Sequence, residues 1–234
     1  MTTVLLVRHG RTTANGAGVL AGWTEGVALD DAGRTQVTAL AQRLRVVPLA
    51  AVVTSPLQRC VETTDALLEG RDPVERHEDQ RVGEVRYGDW SGQELKKLAK
   101  DPLWNVVQNH PSAMRFPGDG GEAMRDMQAR AVTAVREWNA RLGEDAVYAV
   151  VSHGDLIKAV LADALGVHLD QFQRIVVDPA SVSIVTYTAV RPFVVRTNDV
   201  GGDLSFLVRP KNRRRRRRAA SSDAAVGGGP GASA

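Results

Sequence analysis

The chain has 234 residues, 43% of them apolar and 24% charged, ordinary values for a globular protein long enough for one large domain or two small ones. No stretch approaches the ~20 apolar residues of a membrane helix, and residues 1–8 lack the basic leader and long apolar run of a signal peptide. The single cysteine, Cys60, excludes an intramolecular disulfide and a thiolate metal cluster, so a reducing, cytoplasmic setting is expected.

The net charge of +3 has a local origin. Eight basic residues but only one acidic residue lie at or beyond Arg209, and the remainder carries 22 basic against 26 acidic residues, about −4. Residues 209–234, arginine-rich and then Ala-, Gly- and Ser-rich, bury too little apolar area to order themselves and are expected to be a disordered tail on a domain spanning 1–208.

In chain order, residues 4–7 read as a buried strand, followed by a glycine-rich loop. Asp30-Asp31 caps a predicted helix over 32–44, whose Val37, Leu40, Ala41 and Leu44 share a face. A second strand falls at 49–53, and Ser55-Pro56 reads as an N-cap with proline at the first helical position of a helix over 57–68. Residues 83–92 are loop-like; helix signals return at 93–100, at 104–109 and over 122–142, where Met124, Met127, Ala131, Val135 and Trp138 recur at helical spacing. A strand at 146–151, a helix at 155–165 and a hairpin of 182–187 with 193–197 complete the pattern. Strands alternating with helices predict an α/β fold, a three-layer sandwich with a mainly parallel central sheet flanked by helices. Residues 93–125 are expected to cap its ligand site, with Trp104, Met114 and Phe116 either an apolar pocket wall or core.

Ligands of such folds gather at the carboxyl ends of strands. The first strand runs into Arg8-His9-Gly10, with Thr12 and Asn15 close behind, and the second leads to Ser55-Pro-Leu-Gln-Arg59, placing Arg59 in the positive first turn of a helix. The strand at 146–151 ends in Ser152-His153-Gly154, and Glu84 stands in a glycine-rich loop where no periodicity accounts for a carboxylate. Two arginines, two histidines and a glutamate at strand ends suit a phosphate site with a nucleophile and an acid.

These pieces, together with Gly22-Trp-Thr-Glu, Tyr87-Gly-Asp-Trp-Ser-Gly92 and their order over roughly residues 3–197, resemble the histidine phosphatase superfamily, also called phosphoglycerate mutase-like. The resemblance implies that His9 becomes phosphohistidine, that Arg8, Arg59 and His153 hold the phosphoryl oxygens, and that Glu84 is the proton donor. Thr12, Asn15, Gly22, Arg86, Tyr87 and Gly154 are carried over as substrate-binding positions. It implies no metal and no cofactor, a small phosphorylated substrate, a site that accepts phosphate or sulfate, and room for a homo-oligomer. The stretch Glu84-Val-Arg86-Tyr87-Gly88 lacks the Arg-Arg-His-Tyr-Gly of glycolytic mutases, and with no additional lid visible a phosphatase is favoured over a mutase.

A contrasting reading makes the chain a polyanion- or nucleic-acid-binding protein through its arginine run. It is disfavoured, because no aromatic residue interleaves the run and arginine outnumbers lysine 25 to five throughout the chain. Arg11 reads as a solvent-facing charge, Glu122 as the first-turn acid of its helix, Cys60 as a small core residue, and His77, His110 and His168 as surface or packing residues.

Overall fold

A computed structural model describes residues 1–202 together with Val226 and Gly227. In chain order the elements are β1 (Thr2–Arg8), α1 (Thr13–Ala17), α2 (Asp31–Leu44), β2 (Ala51–Thr54), α3 (Gln58–Leu68) and β3 (Glu75–Glu78). They continue with α4 (Leu95–Leu98), α5 (Pro102–Asn109), α6 (Met124–Leu142), β4 (Val147–Ser152), α7 (Gly154–Ala164), β5 (Val182–Tyr187) and β6 (Pro192–Asp199). No described helix is long and apolar enough to cross a membrane.

The strands form one six-stranded sheet in the order β3-β2-β4-β1-β5-β6. The first four run parallel, whereas β5 is antiparallel to β1 and β6 to β5. Side chains alternate across a strand, so one face takes Val4, Leu6, Ala51 and Val53 and the other Leu5, Val7, Val52 and Val151. The first set packs with α6 and α7 through residues such as Met127, Val135, Leu156 and Val160. The second packs with α2 and α3 through Val37, Leu40, Cys60 and Leu67. This is the expected three-layer α/β sandwich.

One expected cap fails and one strand is unforeseen. Ser55 is not the N-cap of α3, which begins at Gln58 after Leu57; its hydroxyl accepts from the Leu57 N–H at 3.3 Å in the entering turn and also meets His153 Nε2 at 2.8 Å. The edge strand β3, Glu-Arg-His-Glu, carries no apolar alternation in its sequence; its pairing with β2 makes it a strand. The predicted disordered tail lies outside the described residues except at Val226, which is buried in the core, and Gly227.

One close approach fixes the loop after β1. A Cβ on Gly33, in the first turn of α2, would lie 1.9 Å from the Arg11 carbonyl oxygen, and one on Gly10 would lie 2.7 Å from Val37. Glycine at both positions therefore lets α2 lie directly against the segment that follows His9.

Candidate active site

Strands β2, β4 and β1 are adjacent and parallel, so their carboxyl ends deliver Ser55, His153 and His9 to a single edge of the sheet. The imidazoles of His9 and His153 meet edge to face with centroids 5.2 Å apart. Both are buried.

His9 Nδ1 lies 2.7 Å from the Gly10 carbonyl oxygen and Arg59 Nε donates to His9 Nε2 over 3.3 Å. A carbonyl only accepts and a guanidinium only donates, so these partners assign the proton to Nδ1 and leave the lone pair on Nε2. Burial, then the charges of Arg59 and Arg8, hold the ring well below the usual histidine range. His9 is thus a neutral imidazole with its basic nitrogen beside Arg59, the form a nucleophile needs.

Arg59 stands in the first turn of α3. Its Nη2 donates to the Gly22 carbonyl at 2.8 Å and meets His153 Nδ1 at 3.1 Å; its Nη1 is buried with no hydrogen-bond partner among the described residues. Since Arg59 only donates, His153 Nδ1 accepts, and His153 Nε2–H is left to donate to Ser55 Oγ at 2.8 Å. Cys60 Sγ lies 3.4 Å from the same nitrogen, and burial pushes its thiol up to about 12. Arg8 is fully buried; burial brings it down to about 10, so it remains charged at neutral pH, and it donates to the carbonyls of Val177 (2.8 Å) and Gly227 (3.3 Å).

Glu84 Oε2 lies 3.9 Å from His153 Nδ1. Burial, then the charge of Asp155, raises the Glu84 carboxyl to about 7 against the pull of Arg59 and Arg8, while burial lowers His153. With each group pushed toward its neutral form, the contact is not an ion pair. A carboxyl poised near neutrality can both give and take a proton.

Asp155, buried in the first turn of α7, accepts from Tyr87 Oη at 3.0 Å and Gly227 N–H at 2.8 Å, with Lys158 Nζ 3.8 Å away. Sequence reasoning saw Asp155 only as the start of a helix; an acid directly after His153-Gly154 was the available signal.

A cavity of about 30 Å³, the room of one or two waters, opens among His9, Thr12, Asn15, Gly22, Arg59, Glu84 and Tyr87. Its remaining wall is Val19, Leu20, Ala21, Leu95, Val226 and Gly227. Thr12 and Asn15 also close a reciprocal capping box on α1, Asn15 N–H to Thr12 Oγ1 and Thr12 N–H to Asn15 Oδ1, each 3.1 Å.

Not every expected residue reaches the cavity. Arg8 and His153 are buried and do not line its wall; Arg86 is exposed and stacks on the Trp23 ring at 4.2 Å, and Gly154 opens α7 without lining the wall. Of the expected cap, residues 93–125, Leu95 alone lines the cavity; Trp104, Met114 and Phe116 are core. Glu122 does not cap α6, whose N-cap is Ala123; it pairs with Arg130 instead. Arg11 is not a solvent-facing charge: it is half-buried, and its Nε pairs with Asp30 at 2.9 Å; His77 packs on Trp138. Among the described residues, no three His, Cys, Asp or Glu side chains gather as a metal site.

The family model of the histidine phosphatase superfamily (branch 1) matches residues 4–200. A glucosyl-3-phosphoglycerate phosphatase of Mycolicibacterium vanbaalenii is 31% identical over 178 residues, 72% of this chain and 76% of its own length. A 2,3-bisphosphoglycerate-dependent phosphoglycerate mutase 2 of Gloeobacter violaceus is 28% identical over 181 residues, 76% of this chain and 82% of its own. Among solved structures, YhfR of Bacillus stearothermophilus superposes with a TM-score of 0.78 at 29% identity, covering 85% of this chain and 98% of that one. With paired imidazoles and two guanidiniums at the carboxyl edge of its sheet, the chain belongs to the histidine phosphatase superfamily, branch 1.

Proposed function

We propose that the chain is a metal-independent phosphomonoester hydrolase that acts on small phosphorylated metabolites through a phospho-His9 intermediate. The observation that carries this reading is the assigned tautomer of His9, with Nδ1–H tied to the Gly10 carbonyl and the Nε2 lone pair beside Arg59. In the first step Nε2 attacks phosphorus and the ester P–O bond breaks. The Glu84 carboxyl gives its proton to the departing alkoxide. A water then attacks the phosphohistidine, its proton passes to the Glu84 carboxylate, the N–P bond breaks, and inorganic phosphate leaves. The guanidiniums of Arg59 and Arg8 meet the phosphoryl charge, so the scheme needs no divalent cation. Arg86, on its Trp23 platform outside the cavity, would meet an anionic group on the leaving alcohol.

A second reading, a phosphomutase, is favoured by one feature: Val226 and Gly227 close part of the cavity wall, and a mutase must keep water from phosphohistidine. Rapid quench with ³²P-labelled substrate separates the readings. The hydrolase predicts an acid-labile, base-stable phosphoenzyme in the wild type, none in His9→Ala, and phosphate release in step with its decay. A His9→Ala enzyme that still turns over removes the proposal. Interconversion of 2- and 3-phosphoglycerate faster than phosphate release would favour the mutase.

A further inference from the structure

The loop that carries Glu84 has no ladder to satisfy its backbone, and its buried carbonyls must find partners elsewhere. One side chain takes three of them. Arg130, on α6, donates from Nη1 to the carbonyls of Arg81 (2.7 Å) and Gly83 (2.9 Å) and from Nη2 to the carbonyl of Glu84 itself (2.9 Å). The guanidinium is aligned in turn by Glu122, which it grips through Nε and Nη2 at 2.6 and 2.9 Å. Glu122 reaches the same loop from its other side: its Oε2 accepts from Arg86 N–H at 3.1 Å, and its own N–H donates to the Arg86 carbonyl at 2.9 Å. The Trp23 indole and the Ser152 hydroxyl take the carbonyls of Glu84 and Val82, each at 2.7 Å. Apart from the Arg130–Glu122 pair itself, these bonds are made to the backbone of residues 81–86, at Glu84 and on both sides of it.

We infer that Arg130, aligned by Glu122, is a positioning residue that fixes the backbone of residues 81–86 so that the Glu84 carboxyl meets the leaving oxygen. The inference rests on Glu84 being the general acid. The pair is partly exposed, with a fifth or less of either side chain open to solvent, and it lies outside the wall of the cavity. It acts through the loop. A planar fork with five donors can hold three carbonyls and a carboxylate together; an ammonium cannot, so lysine is not an equivalent.

The test compares an alkyl phosphate, which needs a proton on its leaving group, with p-nitrophenyl phosphate, which scarcely does, in Glu84→Gln, Arg130→Gln, Arg130→Lys and the double variant Glu84→Gln/Arg130→Gln. Every variant is compared on kcat/KM, which ends at P–O cleavage and leaves out the later base role of Glu84. Arg130→Gln should lower kcat/KM for the alkyl ester by about tenfold or more while changing that for p-nitrophenyl phosphate by less than about threefold, the pattern of a misplaced acid. Arg130→Lys should recover little of it. In the double variant the arginine change should add almost nothing on the alkyl ester beyond Glu84→Gln, since groups acting as a unit are not additive. If Glu84→Gln is selective but Arg130→Gln is silent, or lowers both substrates equally, the clamp is overturned and the acid stands. If Glu84→Gln lowers both substrates equally, the acid assignment falls and the clamp falls with it. Should Arg130→Gln fail to fold, Glu122→Gln, which keeps the guanidinium and removes its aligning charge, takes its place: selective loss on the alkyl ester supports the clamp, and silence or equal loss on both substrates overturns it.

Discussion

Asp155→Asn should move the alkaline limb of the pH–rate profile to lower pH. The substitution is nearly isosteric and keeps an oxygen to accept from Tyr87, but it removes a buried negative charge that helps raise the Glu84 carboxyl to about 7. Burial is the larger cause of that elevation and persists in the variant, so the limb should fall only partway toward the ordinary carboxylate range. The groups that face this pair are Arg59, Arg8 and His153 around Glu84 and Lys158, Tyr87 and Arg8 around Asp155. A loss of about one pH unit corresponds to about 1.4 kcal/mol of charge interaction. In the proposed mechanism the acid form of Glu84 carries the reaction. At pH 7.5 its fraction would drop from roughly a quarter to roughly three per cent, a fall of about eightfold in kcat/KM for an alkyl ester. The same profile on p-nitrophenyl phosphate should hardly move. Measuring kcat/KM reads the free enzyme and avoids the added charge of bound phosphate. A limb that stays in place, or rises, would refute the claim that Asp155 holds the Glu84 proton.

Gly33→Ala should cost about 2–4 kcal/mol, because a Cβ 1.9 Å from the Arg11 carbonyl oxygen forces α2 off the loop after His9; denaturant melts check this, and a wild-type midpoint with wild-type turnover would show that the contact relaxes freely. Ending the chain at Gly202 removes Val226 and Gly227 from the cavity wall and the Gly227 N–H from Asp155. The truncated enzyme should gain kcat/KM on bulky esters relative to small ones, measured across a panel of alkyl phosphates; an unchanged ranking would show that these residues do not select substrate. The same truncation removes the arginine run, and polyanion binding measured beside turnover shows whether that run acts separately.

Much of this architecture is legible in the sequence because the signals are local. Strand β1 is a β-branched and leucine run leading straight into Arg8-His9-Gly10, and Asp30 caps α2 as its side chain predicts, accepting from the Gly33 N–H at 2.7 Å. The histidine-glycine pair after β4 is equally plain. What escapes is decided by distant partners. Ser55 reads as a helix cap, but α3 begins only at Gln58, and the hydroxyl that accepts from the Leu57 N–H is also met by His153, 98 residues away. Glu122 reads as the acid of a first turn, and only the folded chain brings Arg130 and the Glu84 loop to it. Strand β3 is four polar residues whose conformation comes from β2, and nothing in Ala-Val-Gly foretells that Val226 is buried in the core and Gly227 lies against Leu20 and Tyr87.

The grouping of Ser55, His153 and His9 on three adjacent parallel strands has an evolutionary corollary. The proposed bond-breaking apparatus is anchored to the ends of hydrogen-bonded strands, whereas Val19, Leu20, Leu95, Val226 and Gly227, which complete the cavity wall, lie outside that sheet. If the proposed reaction holds, exchanges in those peripheral segments should leave the phosphorus chemistry intact while changing which alcohol is accepted. Relatives that share one sheet can therefore diverge in diet without reinventing their reaction.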